Sequence, residues 1–125
     1  MNGRRSIPPG LTAELLLDVF DLPISFHRCL VPITGGVTAA LMLSQAIWTS
    51  EALDPEVGGW FCRSQEEWTE ETGLSRWEQE TARRALRSGG FLEERRAGMP
   101  AKLWFRVRPE AVGRALQAHA NPVRR

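Results

Sequence analysis

Cysteine is scarce in this chain, and long apolar runs are missing altogether. Two cysteines, Cys29 and Cys62, in 125 residues supply neither a disulfide framework nor the four close ligands of a structural zinc site. A reducing, cytoplasmic compartment is therefore expected. No segment approaches the ~20 consecutive apolar residues that cross a bilayer. Pro8, Pro9, Glu14 and Asp18 break up what would have to be a signal peptide after Arg4-Arg5. A Gly-rich phosphate loop, a His-Glu metal motif and a nucleophile elbow are also missing, so neither catalysis nor a cofactor is expected. Lysine is nearly absent: 15 of the 16 bases are Arg. Arginine suits bidentate contacts with phosphate or guanine, although a GC-rich genome explains the same bias.

What is present fits one globular domain. Forty-two percent of the residues are hydrophobic and 25% are charged, close to the average of folded proteins, and the length is that of a single module. The net charge of +1 conceals a segregated distribution. Residues 51–72 hold seven acids and one base, whereas residues 76–108 hold nine bases and four acids. One region is suited to face a polyanion and the other to repel it.

Hydrophobic periodicity and turn chemistry divide the chain. Residues 1–23 read as a flexible leader followed by a short amphipathic helix carrying Leu11, Leu15, Leu16, Val19 and Phe20. Residues 24–30 look extended. Thr34-Gly35-Gly36 opens a helix over residues 37–50 that is apolar almost all round, as expected of a helix buried by its own domain or by a partner. Trp60 to Cys62 is a strand candidate. Ser64 with Glu67, then Ser75 with Glu78, are capping boxes that start helices to about Glu71 and Ser88. Thr72-Gly73-Leu74 is the turn between them, so the pair has the helix-turn-helix arrangement. Strand candidates at residues 91–96 and 102–107 form a hairpin, and Pro109 opens a closing helix with Val112, Ala115 and Leu116. Residues 24–120 thus form the domain, and residues 121–125 a basic tail.

The second capped helix carries the chemistry. On a wheel of about 100° per residue, Arg76, Gln79, Glu80, Arg83, Arg84 and Arg87 share one side, with Trp77, Thr81, Ala82, Ala85 and Leu86 opposite. A major groove admits an α-helix, and Arg is the commonest reader of guanine there. Ser75 and Arg76 stand at the helix N-terminus, where backbone N–H groups bind phosphate. Arg95, Arg96 and Lys102 flank the hairpin tip, where they would meet phosphates. Arg83 is the expected centre of specificity, with Glu80 fixing the rotamers of its neighbours. The bland alternative is a solvated face laced by Glu80 with Arg76, Arg83 and Arg84.

The segments TGLSRWEQETARRALRSGGFLEE (residues 72–94) and GMPAKLWFRV (98–107) resemble winged helix-turn-helix domains of phage and plasmid replication proteins. ISFH (24–27) and VTAALMLSQAIW (37–48) look like the opening strand and first helix of the same family. The resemblance implies an α+β winged helix-turn-helix fold, a three-helix core with a small antiparallel sheet, here with extra N- and C-terminal helices. It implies a DNA-binding module in which residues 75–87 are the recognition helix and residues 95–102 the wing, serving replication or transcriptional regulation of a mobile element. Gln79 departs from the pattern, standing where such helices often carry an apolar packing residue.

The expected partner is double-stranded DNA. The rival reading is a protein-interaction module that engages a partner through the apolar helix at residues 37–50 and the leader helix. The same surfaces suggest a homodimer. Trp60, Trp77 and Trp104 are expected in the core rather than as stacking platforms for single strands. A metal site built from His27, Cys29 and Cys62 is the less favoured reading of those residues beside buried free thiols.

Overall fold

The computed structural model describes residues 12–14 and 23–120. The leader residues Leu11, Leu15, Leu16, Val19 and Phe20 and the basic tail at 121–125 lie outside them. From Arg28–Leu30, a 3-10 turn, the chain passes into the short helix α1 (Val31–Thr34) and then α2 (Val37–Glu51). Strand β1 (Trp60–Cys62) leads to α3 (Gln65–Thr72) and α4 (Arg76–Ser88). Strands β2 (Leu92–Ala97) and β3 (Lys102–Val107) precede the closing helix α5 (Pro109–Ala120). The class is α+β. Among the described residues no single helix is long and apolar enough to cross a membrane.

The extended segment expected at residues 24–30 is corrected to an irregular stretch that ends in the 3-10 turn. Leu30 is buried there, and the His27 backbone N–H donates to Ser44 Oγ of α2 at 3.0 Å. That hydrogen bond ties the segment to a helix instead of a strand. Helix α2 is central, with Ala39, Ala40, Met42, Leu43 and Ala46 all buried within this one chain. Only Val37 and Trp48 remain as large exposed apolar side chains on it. The domain thus covers most of the apolar surface of this helix.

Helices α3 and α4 start where local chemistry dictates. Ser64 Oγ accepts from Glu67 N at 3.1 Å while the Glu67 carboxylate accepts from Ser64 N at 2.8 Å. Ser75 and Glu78 repeat the arrangement at 3.1 and 2.9 Å. Each box satisfies two backbone donors that a helix start leaves open. Gly73 closes α3 at φ +79°, a left-handed conformation that costs glycine nothing. The short turn brings α4 against α2, where Ala82 and Leu86 are buried.

The sheet is antiparallel, in the order β1-β3-β2. Phe61 lies opposite Phe105, which lies opposite Glu94. Because side chains alternate along a strand, Phe61, Phe105 and Leu92 point inward. Trp60, Trp104 and Arg95 occupy the outer face. Phe61, Trp68 and Phe105 form the aromatic centre of the core, their ring centroids 5.4–6.2 Å apart. Edge-on contacts of this kind add to the area they bury. In front of that centre, the β2–β3 hairpin and α4 are held side by side.

Candidate nucleic-acid interface

The packing of α4 sets which of its side chains can reach a ligand. Gln79, Ala82 and Leu86 are buried, while Arg76, Trp77, Glu80, Thr81, Arg84, Arg87 and Ser88 are exposed. Relative to the wheel drawn on charge alone, the helix is rotated by about 80–90°. Two expectations are overturned by that rotation. Trp77, expected in the core, is 76% exposed on the first turn. Gln79, expected to face DNA, is 1% exposed.

Gln79 has become part of the turn between the helices. Its Nε2 donates to the carbonyls of Gln65 and Leu74, each at 3.1 Å, and to Thr69 Oγ1 at 2.9 Å. The amide thus joins acceptors on α3 and in the turn, where Thr69 Oγ1 also donates to the Leu74 carbonyl at 2.9 Å. It fixes the angle of α4 and is unavailable to bases.

Arg83 is also committed. Its Nε and Nη2 both donate to the Glu94 carboxylate at 2.8 Å, and its guanidinium lies 5.9 Å from the Phe105 ring centroid. Arg87 Nη1 reaches the same carboxylate at 2.8 Å. Burial pushes the Glu94 pKa up, but the hydrogen bonds and charge of Arg83, reinforced by those of Arg87, bring it below the ordinary value. The hydrogen bonds to Glu94 raise the Arg83 pKa in turn. A forked pair of this kind is strong and orientation-specific. Arg83, expected to read bases, stands in this structure in a seam between α4 and β2. Glu80, expected to fix the arginines, forms no ion pair among the described residues, although its charge acts on Arg83.

The remaining cations divide between faces. Arg76, Arg84, Arg96 and Lys102 hold no ion pair or side-chain hydrogen bond among the described residues. Arg84 borders a shallow cleft of about 220 Å³ with Glu80, Arg83 and Arg87. Arg96 and Lys102 border a cleft of about 360 Å³ between the wing and the start of α3, which Arg63, Ser64, Gln65 and Glu67 also line. Arg95 does not join its neighbour. It sits on the outer face of the sheet, 4.3 Å from the Trp60 ring centroid, and Arg106 lies 4.8 Å from the same ring. The expected pair of phosphate contacts therefore points two ways. Ser75 keeps its place at the N-terminus of α4, with its hydroxyl engaged in the cap.

The acidic segment sits closer to this surface than charge counting implies. Arg76 shares a shallow cleft with Glu66 and Glu70 of α3, so the N-terminal corner of α4 is mixed in sign. Among the tryptophans only Trp68 is in the core; Trp60 and Trp104 are half-buried on the outer sheet face. Trp77 is the residue that sequence reasoning placed wrongly and that matters most. Its position about 180° from Leu86 on the wheel was the available signal. No group of three or more His, Cys, Asp or Glu side chains placed to hold a metal occurs among the described residues. Cys29 is exposed and Cys62 half-buried.

Comparison with known proteins finds no matching protein family, no matching curated protein and no matching solved structure.

Proposed function

We propose that this chain is a winged helix-turn-helix protein that binds double-stranded DNA without catalysing a reaction on it. Helix α4 enters the major groove by its outward face, and the β2–β3 hairpin lies along the backbone and minor groove. The observation that carries this reading is the set of unpaired cations, Arg76 and Arg84 on α4 and Arg96 and Lys102 on the hairpin, beside a helix anchored from behind by Gln79 and Leu86. Arg84 replaces Arg83 as the candidate reader of guanine. Trp77 offers an apolar edge of the kind that contacts a thymine methyl group. The resemblance to replication proteins extends the proposal to replication initiation or transcriptional control in a phage, plasmid or other mobile element.

Fluorescence anisotropy with a mixed-sequence duplex at two salt concentrations tests this. Four or five neutralised phosphates give a slope of about −4 in log affinity against log salt, so a threefold rise in salt weakens binding roughly 100-fold. Absence of binding, or binding indifferent to salt, sinks the proposal. A second reading, a protein-interaction module, is favoured by the exposed Phe26, Val37 and Trp48. Duplex-independent association with little salt dependence is its signature.

A further inference from the structure

The tip of the β2–β3 hairpin carries no polar side chain. Turns draw on Gly and Pro for backbone shape and on Asn, Asp and Ser for side-chain hydrogen bonds, and this one uses only the first two. Here the four residues joining the strands are Gly98, Met99, Pro100 and Ala101, without one polar side chain. Gly98 takes φ +100°, which glycine alone adopts without strain. That leaves the outermost position to methionine. Met99 is 98% exposed, the most exposed large apolar side chain among the described residues, so it contributes nothing to the core.

Cations stand immediately behind this apolar point. Ala97 pairs with Lys102, Arg96 with Leu103 and Arg95 with Trp104 on the last rungs of the ladder. Arg96 and Lys102 border the cleft on the α3 side, and Arg95 stands on the opposite face against Trp60. An apolar end with positive charge on both faces behind it has the chemistry of a minor-groove wedge. The groove walls are two phosphate strands, and its floor is a stack of base pairs into which an apolar side chain inserts. Methionine, unbranched and polarizable, adapts to such a gap.

We propose that Met99, backed by Pro100, inserts between base pairs from the minor groove and kinks the duplex, by roughly 20–90° as other apolar wedges do. The inference rests on the DNA-binding reading and deepens it by assigning a shape-changing role to the hairpin tip. Steps that unstack easily, TA and CA, are the preferred points of entry, which gives a sequence preference without hydrogen bonds to bases.

The test uses the full chain and a mixed-sequence duplex of about 30 base pairs, rich in TA and CA steps, with donor and acceptor dyes at its ends. Saturating wild-type protein raises energy transfer, because the ends approach. Met99→Leu keeps the rise, whereas Met99→Ser abolishes most of it while anisotropy affinity falls no more than about tenfold, since the cations remain. The substituted side chain is exposed, and circular dichroism verifies that both variants fold. Binding with unchanged energy transfer in the wild type, or a full rise with Met99→Ser, overturns the wedge and leaves DNA binding standing. No binding of the duplex by the wild type overturns both.

Discussion

Arg83 and Arg84 are neighbours in sequence and opposites in use. Arg83 faces the β2–β3 hairpin, where it shares the Glu94 carboxylate with Arg87 and lies beside the Phe105 ring. Arg84 faces solvent with no ion pair among the described residues. One helix therefore uses part of its positive charge to hold its own orientation and leaves the rest unpaired among the described residues. The lesson is that a basic stripe does not measure binding capacity until its internal carboxylates have been found. Glu94, eleven residues from Arg83 along the chain, is the one that decides here.

The sharpest break of this contrast comes from the buried side of α4. Leu86 is 0% exposed, so Leu86→Ala is expected to cost roughly 2–5 kcal/mol through lost burial and the cavity left behind. Urea unfolding checks it, and an unchanged midpoint means that the helix is seated differently. Glu94→Ala comes next, at roughly 1.5–3 kcal/mol, the range of hydrogen bonds to charged groups. A double-mutant cycle with Arg83→Ala should recover a coupling energy, and additive losses would dissolve the seam.

The same carboxylate sets an acid limb. The folded pKa of Glu94 lies below its ordinary value, so its contribution is complete above the unfolded pKa and is lost as pH falls through the folded one. Below about pH 5 the wild type should lose stability faster than Glu94→Gln, which has no proton to take up. Parallel pH profiles would contradict the ion pairs.

At Gln79, replacement by Ala removes the amide that contacts the Gln65 and Leu74 carbonyls and Thr69 Oγ1, leaving Leu74 only its Thr69 hydroxyl donor, at a cost of roughly 1–3 kcal/mol. The smallest effect on stability belongs to Arg84→Ala, within about 0.5 kcal/mol. On duplex DNA the order reverses: Arg84→Ala should lose roughly 1–3 kcal/mol at a preferred site. Anisotropy measured beside thermal melts separates the two outcomes. Equal melting losses for Arg83→Ala and Arg84→Ala would erase the distinction.

Much of the fold was readable from local chemistry. Both capping boxes form because Ser and Glu three residues apart need only each other, and helix, strand and turn positions from Trp60 to Val107 follow from them and from the glycines. The phase of α4 was not readable in the same way. Its period is local, but which side turns inward depends on Thr69, Leu74 and Gln65, whose positions only the folded turn defines. Gln79, as a polar residue in a packing position, and Trp77, about 180° from Leu86 on the wheel, carried the hints. The split of Arg95 from Arg96 was legible in principle, since adjacent strand residues point to opposite faces. The opening segment was misread because its anchor, Ser44, lies seventeen residues away.

Glu94 also places this protein on a trade-off between durability and grip. One carboxylate holds two guanidinium groups, Arg83 and Arg87, and offsets one of their two positive charges. A substitution there removes a negative charge and frees two positive ones; if the proposed DNA binding holds, it strengthens electrostatic attachment to any duplex while loosening the frame that orients the helix. On that proposal, a selection at low temperature would yield such variants as tighter, less discriminating binders. The same variants would be the first to fail when heated.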